Sequence, residues 1–250
     1  MYGILVFLIL GITILGHELG HFLTAKALNM NPKEFGIGFG KTINQFTGKD
    51  GVVYKVNTIP MGGYVSFDME KFNEEKPYKK FLVLASGVFF NLLLALLGCL
   101  IFVLITKMSM FRSPVVGETF NLFTIITYTF ESLVDSIKIV AMGLVGFIAS
   151  PQLDSFMGPI QLVKEGSILM QENLLLGIPL FIIVNINVML FNMLPLPALD
   201  GGRLLFTGAE MITNQRAAYE EKVHRGGVFV LLILSMLVVG KDIFTVFFLK

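Results

Sequence analysis

The chain has 250 residues, 54% of them hydrophobic and 15% charged, with a net charge of +1 and a mean hydropathy of +0.76. Soluble domains carry about a quarter charged residues, so this composition excludes an ordinary soluble domain and indicates an all-α polytopic membrane protein. Near-zero charge spread through loops excludes a nucleic-acid partner, and the single Cys99 excludes a disulfide framework or a cysteine metal site.

A membrane crossing needs about 20 predominantly apolar residues. The pattern predicts four transmembrane helices, at about 2–24, 81–106, 178–198 and 227–248. No basic region or small-residue cleavage site precedes the first charged cluster, so the first span is expected to stay in the mature chain. Inside that span stands His17-Glu18-Leu19-Gly20-His21. Helical residues i and i+4 share a face, so the two imidazoles can grip one metal ion with the glutamate beside them. An ionisable group at mid-bilayer costs about 2.5–3.5 kcal/mol on insertion scales, which makes such a cluster a functional site by default.

After the first span, residues 33–66 alternate in polarity around turn residues, as in Gly36-Ile-Gly-Phe-Gly40 and Gly48-Lys-Asp-Gly51. This predicts a small membrane-associated β-hairpin or sheet, with Ile59 to Val65 as a further extended piece. In 120–149, Asn121, Thr124, Tyr128, Glu131, Asp135 and Lys138 draw one polar stripe, which predicts an interfacial amphipathic helix rather than a fifth crossing. Gly158-Pro159 breaks the chain, and a short helix is expected at 160–171. Loops 25–80 and 199–226 hold 13 of the 19 Lys and Arg residues. By the positive-inside rule both termini face outward and the metal cluster lies toward the cytoplasmic side.

Two histidines leave zinc short of the usual three protein ligands and one open position. The best third ligand is Asp200, in Asn192-Met-Leu-Pro-Leu-Pro-Ala-Leu-Asp-Gly-Gly-Arg203. Pro195 and Pro197 break the third span there, and Gly201 and Gly202 permit a turn that returns the carboxylate to the bundle. His224, between Lys222 and Arg225, reads as a solvated or headgroup residue in a basic loop, and Cys99 as a buried spectator.

Together these residues resemble the site-2 protease family of intramembrane zinc metalloproteases, in its bacterial branch. The resemblance rests on His17-Glu-Leu-Gly-His21, Pro60-Met-Gly-Gly-Tyr64, Ala85-Ser-Gly-Val-Phe-Phe-Asn91, Gly158-Pro159, Asn187, the block Asn192 to Gly202, and Lys241-Asp-Ile243. Val88 stands where the family has a proline, which puts the start of the second helix in doubt. The 71 residues of 107–177 leave no room for the PDZ domain many bacterial members carry, so one domain over 1–250 is expected.

The resemblance implies one zinc ion per chain, held by His17, His21 and Asp200, with Glu18 as the catalytic base. It implies peptide-bond hydrolysis within a transmembrane segment of a single-span membrane protein, or of a signal-peptide remnant, in the lipid bilayer of a bacterial inner membrane. Asn192 and Asn187 would bind the unwound substrate backbone. The piece Gly62, Gly63, Tyr64 and Val65 could add a strand to it by main-chain pairing. The competing reading is a membrane zinc-binding or transport protein without protease activity, which would not need Glu18.

Overall fold

The computed structural model describes residues 1–111, 119–150 and 157–248. In chain order the elements are α1 (Tyr2–Ala27), β1 (Glu34–Thr47), β2 (Val53–Ser66), α2 (Met69–Glu74), α3 (Pro77–Thr106), α4 (Leu122–Ala149), α5 (Pro159–Glu172), a 3-10 turn (Leu174–Leu176), α6 (Gly177–Met193), α7 (Asp200–Thr213) and α8 (Glu220–Phe248). Five stretches are long and apolar enough to cross a membrane: Tyr2–Ala27, Pro77–Thr106, Leu122–Ala149, Leu174–Met193 and Glu220–Val246. Four coincide with the predicted spans.

The fifth candidate is the striped helix. Its polar residues do not form one solvated face. Thr124, Tyr128, Thr129, Ser132 and Ser136 are buried, and the hydroxyls of Thr129 and Ser136 donate to the i−4 carbonyls of Ile125 and Ser132. Hydroxyls satisfied by their own helix cost little to place in apolar surroundings. The exposed positions include Phe123, Phe130, Met142 and Val145, so length and apolarity pass where the stripe suggested an interfacial helix.

The span boundaries shift for local reasons. The third ends at Met193 instead of 198, because Pro195 disfavours helix at the residue before it and removes a donor. The second starts at Pro77, a favoured first-turn residue, and runs unbroken through Val88, which removes the doubt raised by the missing proline.

The chain forms two compact units. The first comprises Met1–Ile9, Leu92–Asn187 and Ser235–Lys250, and the second Leu10–Asn91 and Val188–Leu234. In the first, Asp242 is fully buried and accepts hydrogen bonds from the Gly158 and Gln161 amides at 3.3 and 2.9 Å. It supplies the N-terminal cap that α5, opening on Gly158-Pro159, lacks in its own sequence. Two sequence landmarks 84 residues apart thus form one contact.

In the second unit the two strands are long and bent, so one pair makes a mixed sheet. Residues 34–37 lie between 53–56, in parallel register, and 63–66, in antiparallel register, while 44–47 pair antiparallel with 53–56. The arm 63–66 is therefore an edge. The bends fall where Gly38 (φ +77°) and Gly62 (φ +73°) take left-handed conformations open to glycine at little cost. The Gly48–Gly51 turn carries Asp50, whose carboxyl is held down to about 2 chiefly by its hydrogen bond from Lys26 at the end of α1.

Two apolar clusters fix α1 in this unit. Phe22, Phe35 and Val52 join it to the sheet, and Ala25, Met30, Phe72, Val83 and Leu84 join it to α2 and α3. Lys80 and Glu210, both largely buried, pair at 2.7 Å and tie the start of α3 to α7.

Candidate metal centre and active-site cleft

One turn separates His17 from His21 on α1, and both rings are buried. Asp200 is the first residue of α7 and arrives from the far end of the sequence. His17 Nε2 lies 2.8 Å and His21 Nε2 3.2 Å from Asp200 Oδ2, and the two Nε2 atoms are 3.2 Å apart. Donors around a tetrahedral zinc, at about 2.0–2.1 Å from the ion, sit about 3.3 Å from one another. The three donor atoms therefore fit a single zinc ion, and among the described residues this is the group of His, Cys, Asp and Glu that could hold one.

The surroundings prepare the donors. His21 Nδ1 donates to the Val83 carbonyl at 2.7 Å, which leaves the Nε2 lone pair facing the other two ligands. Asp200 would ligate as the carboxylate, since a metal ligand must be deprotonated.

Gly87 of α3 is the floor of the site. A Cβ there would lie 2.5 Å from His21 Nε2 and 2.7 Å from His17 Cε1, closer than carbon approaches these atoms. Gly201 and Gly202 act similarly, and here the sequence expectation is corrected. They do not form a turn but lie in the first turn of α7, where a side chain on Gly201 would strike the backbone of Met193 and Leu194.

The loop that delivers Asp200 is held by a residue assigned elsewhere from sequence. His224 is buried in the first turns of α8, and its Nδ1 accepts the Ala198 amide at 3.1 Å. Ala198 has φ +76°, a left-handed conformation costing a non-glycine roughly 1–2 kcal/mol. A fixed acceptor offsets that cost and anchors the backbone two residues before Asp200. The solvated role expected for His224 is therefore overturned, because the helix starts seven residues earlier than the apolar run and turns the ring inward.

Glu18 is next to the pair, and its Oε2 accepts the Val65 amide at 3.1 Å. This contact joins the carboxylate to the edge arm of the sheet. A cleft of about 150 Å³ is lined by Glu18, His21, Val65, Asp200 and Arg203, among others. The remaining predicted residues are less tightly gathered. Gly62 and Gly63 pack against Ile14 and Leu15 of α1, and the Tyr64 hydroxyl faces Glu34 at 3.5 Å. Asn192 and Asn187 each donate to their own helix, to the carbonyls of Val188 and Ile183 at 3.0 Å. Asn192 belongs to the unit that holds the metal centre, and Asn187 to the other.

Comparison with known proteins shows the family of the chain. The model of peptidase family M50 matches residues 5–236. A Fusobacterium nucleatum protein named as a zinc metalloprotease is 24% identical, with 95% of this chain and 97% of the relative covered. That comparison runs over 330 positions against 250 residues here, so at least 80 positions have no counterpart in this chain. Proteins of the same description from Campylobacter jejuni and Streptococcus pneumoniae are 38% and 47% identical over 101 and 66 residues. Those matches cover 35% and 26% of this chain, and 27% and 16% of the relatives. The chain therefore belongs to peptidase family M50 and is a membrane zinc metalloprotease.

Proposed function

We propose that the chain is an intramembrane endopeptidase that hydrolyses peptide bonds within or near the transmembrane segment of single-span membrane proteins or signal-peptide remnants. The observation that carries this reading is the convergence of His17, His21 and Asp200 beside Glu18, with both histidines on a helix long and apolar enough to cross a bilayer. His17, His21 and Asp200 are the zinc ligands. Zinc, when bound, supplies a Lewis acid that activates water and polarises the scissile carbonyl. Glu18 takes the proton from the attacking water and passes it to the leaving amine.

A substrate helix must unwind before its carbonyl can be attacked, and its freed backbone groups then need partners inside the membrane. The piece Gly62 to Val65 runs into the edge arm of the sheet and borders the cleft at Val65, so substrate adds to it as a strand. The Asn192 amide exchanges its bond within the helix for one to that backbone. Selection then favours segments that unwind easily.

Four helices cross and α4 lies along the interface in this reading. Support comes from Ser109 and Met110, just beyond the end of α3, which meet Ser132 at the middle of α4 through a 3.4 Å hydroxyl contact and a 3.0 Å bond from the Met110 amide. Four crossings return both termini to one side, outward by the loop charges, with the site toward the cytoplasm of a bacterial inner membrane.

The test is cleavage of reconstituted single-span substrates by the purified chain in liposomes, with cut sites mapped by mass spectrometry and zinc measured. Cuts inside the membrane segment are expected; cleavage confined to soluble unfolded proteins would overturn the intramembrane assignment. Gly87→Ala is expected to weaken zinc binding at least about 10-fold, as changes next to metal ligands do, and a competitive zinc titration checks it.

A further inference from the structure

A second cavity, of about 390 Å³, opens beside the metal cleft within the same unit. The two have Met69, Phe72, Leu84 and Arg203 in common among their lining residues, so they adjoin at these side chains. Arg203 lies three residues after Asp200 on α7, which sets it one turn from the metal ligand.

The charges in this cavity are not all matched. Lys80 pairs with Glu210 at 2.7 Å, Arg216 with Glu220 at 2.8 Å, and Arg225 with Glu221 at 3.6 Å. Arg203, by contrast, has no ion pair or hydrogen bond from its guanidinium among the described residues. His224 also lines the cavity and is 6% exposed. Its Nδ1 is an acceptor, so the neutral ring carries its proton on Nε2, and that buried donor meets no partner among the described residues. Buried donors without acceptors are rare, and the unmatched guanidinium of Arg203 on the cavity wall is the group that asks for an anionic acceptor, a carboxylate matching its fork.

We propose that this cavity is a substrate subsite for a carboxylate, with Arg203 as its specificity-determining residue. The inference rests on the proteolytic reading above. Arg203 lines the metal cleft as well as this cavity, which favours a peptide carboxylate over a lipid phosphate. One helical turn rises about 5 Å, and an extended peptide advances about 3.3 Å per residue, so the acidic group sits within about three residues of the scissile bond.

The experiment uses the full chain in phosphatidylcholine liposomes, with and without added phosphatidylglycerol. Single-span substrates carry Glu, Gln or Lys at each of the three positions on either side of one cut site. Short peptides end there as free acid or amide. For the wild type, kcat/KM is expected to favour Glu over Gln about 10-fold or more at one position. If instead only the free-acid peptides are preferred, the carboxylate is the chain terminus. In Arg203→Gln the preference falls toward unity, and in Arg203→Glu it inverts toward Lys, with zinc content and thermal unfolding measured in each variant. Cleavage of all substrates at equal rates, a preference that survives Arg203→Gln, or sensitivity to phosphatidylglycerol alone would each overturn the subsite. Failure of the wild type to cut anything would remove the proteolytic reading and this one with it, a different outcome from indiscriminate cutting.

Discussion

Glu18→Gln is expected to keep one zinc ion per chain and to lose peptide-bond hydrolysis, with kcat falling by roughly 10²–10⁴-fold, the contribution typical of a positioned general base. Glutamine has nearly the same shape, and its side-chain oxygen can still accept the Val65 amide that Glu18 holds at 3.1 Å. The fold and the three metal donors should therefore be undisturbed, since Glu18 is not among the converging ligand atoms. What glutamine cannot do is take a proton. Zinc measured by mass spectrometry alongside cleavage of a reconstituted substrate separates the two roles. Activity within tenfold of wild type would show that another group is the base.

Asp200→Ala is the second large effect, and it acts on the metal. One of three donors goes, and the remaining His17 and His21 Nε2 atoms, 3.2 Å apart, leave zinc with two protein ligands. Zinc affinity should fall on the order of 10²–10³-fold, with hydrolysis lost in proportion. The loss should come without general unfolding, because Asp200 lies at the first position of α7 while the helix is held elsewhere by the Lys80–Glu210 pair. Full zinc occupancy in this variant at equimolar metal would sink the assignment of the third ligand. Circular dichroism on the same samples distinguishes loss of a ligand from loss of the fold.

The two halves of the site were legible in the sequence to different degrees. His17 and His21 could be read directly, because an i, i+4 spacing on a helix is a geometric statement in itself. Asp200 could be read only as a charged residue after a helix-breaking Pro-x-Pro. Its helix could not, since Gly201, Gly202 and Gly208 lower the helix propensity of α7. The signal overlooked was Asn214, which takes φ +53° at the C-cap and ends that helix as asparagine often does. Residues whose roles depend on distant partners were out of reach. Nothing near His224 announces that it accepts the amide of Ala198, and nothing near Glu18 announces Val65. The stripe on 120–149 was legible only as polarity: that Thr129 and Ser136 satisfy their hydroxyls within their own helix is not written in the spacing.

Separation along the chain also sets an order of events during synthesis. The His17–Asp200 contact joins residues 183 positions apart, and Asp242 caps a helix that begins 83 residues before it. Translation proceeds at about 5–20 residues per second, so the histidines exist for roughly 10–40 s before their third partner is made. Throughout that interval the two-histidine helix has no complete centre, and the growing chain cannot cut its neighbours at the insertion site. Activity begins only once Asp200 has been made and has reached the two histidines.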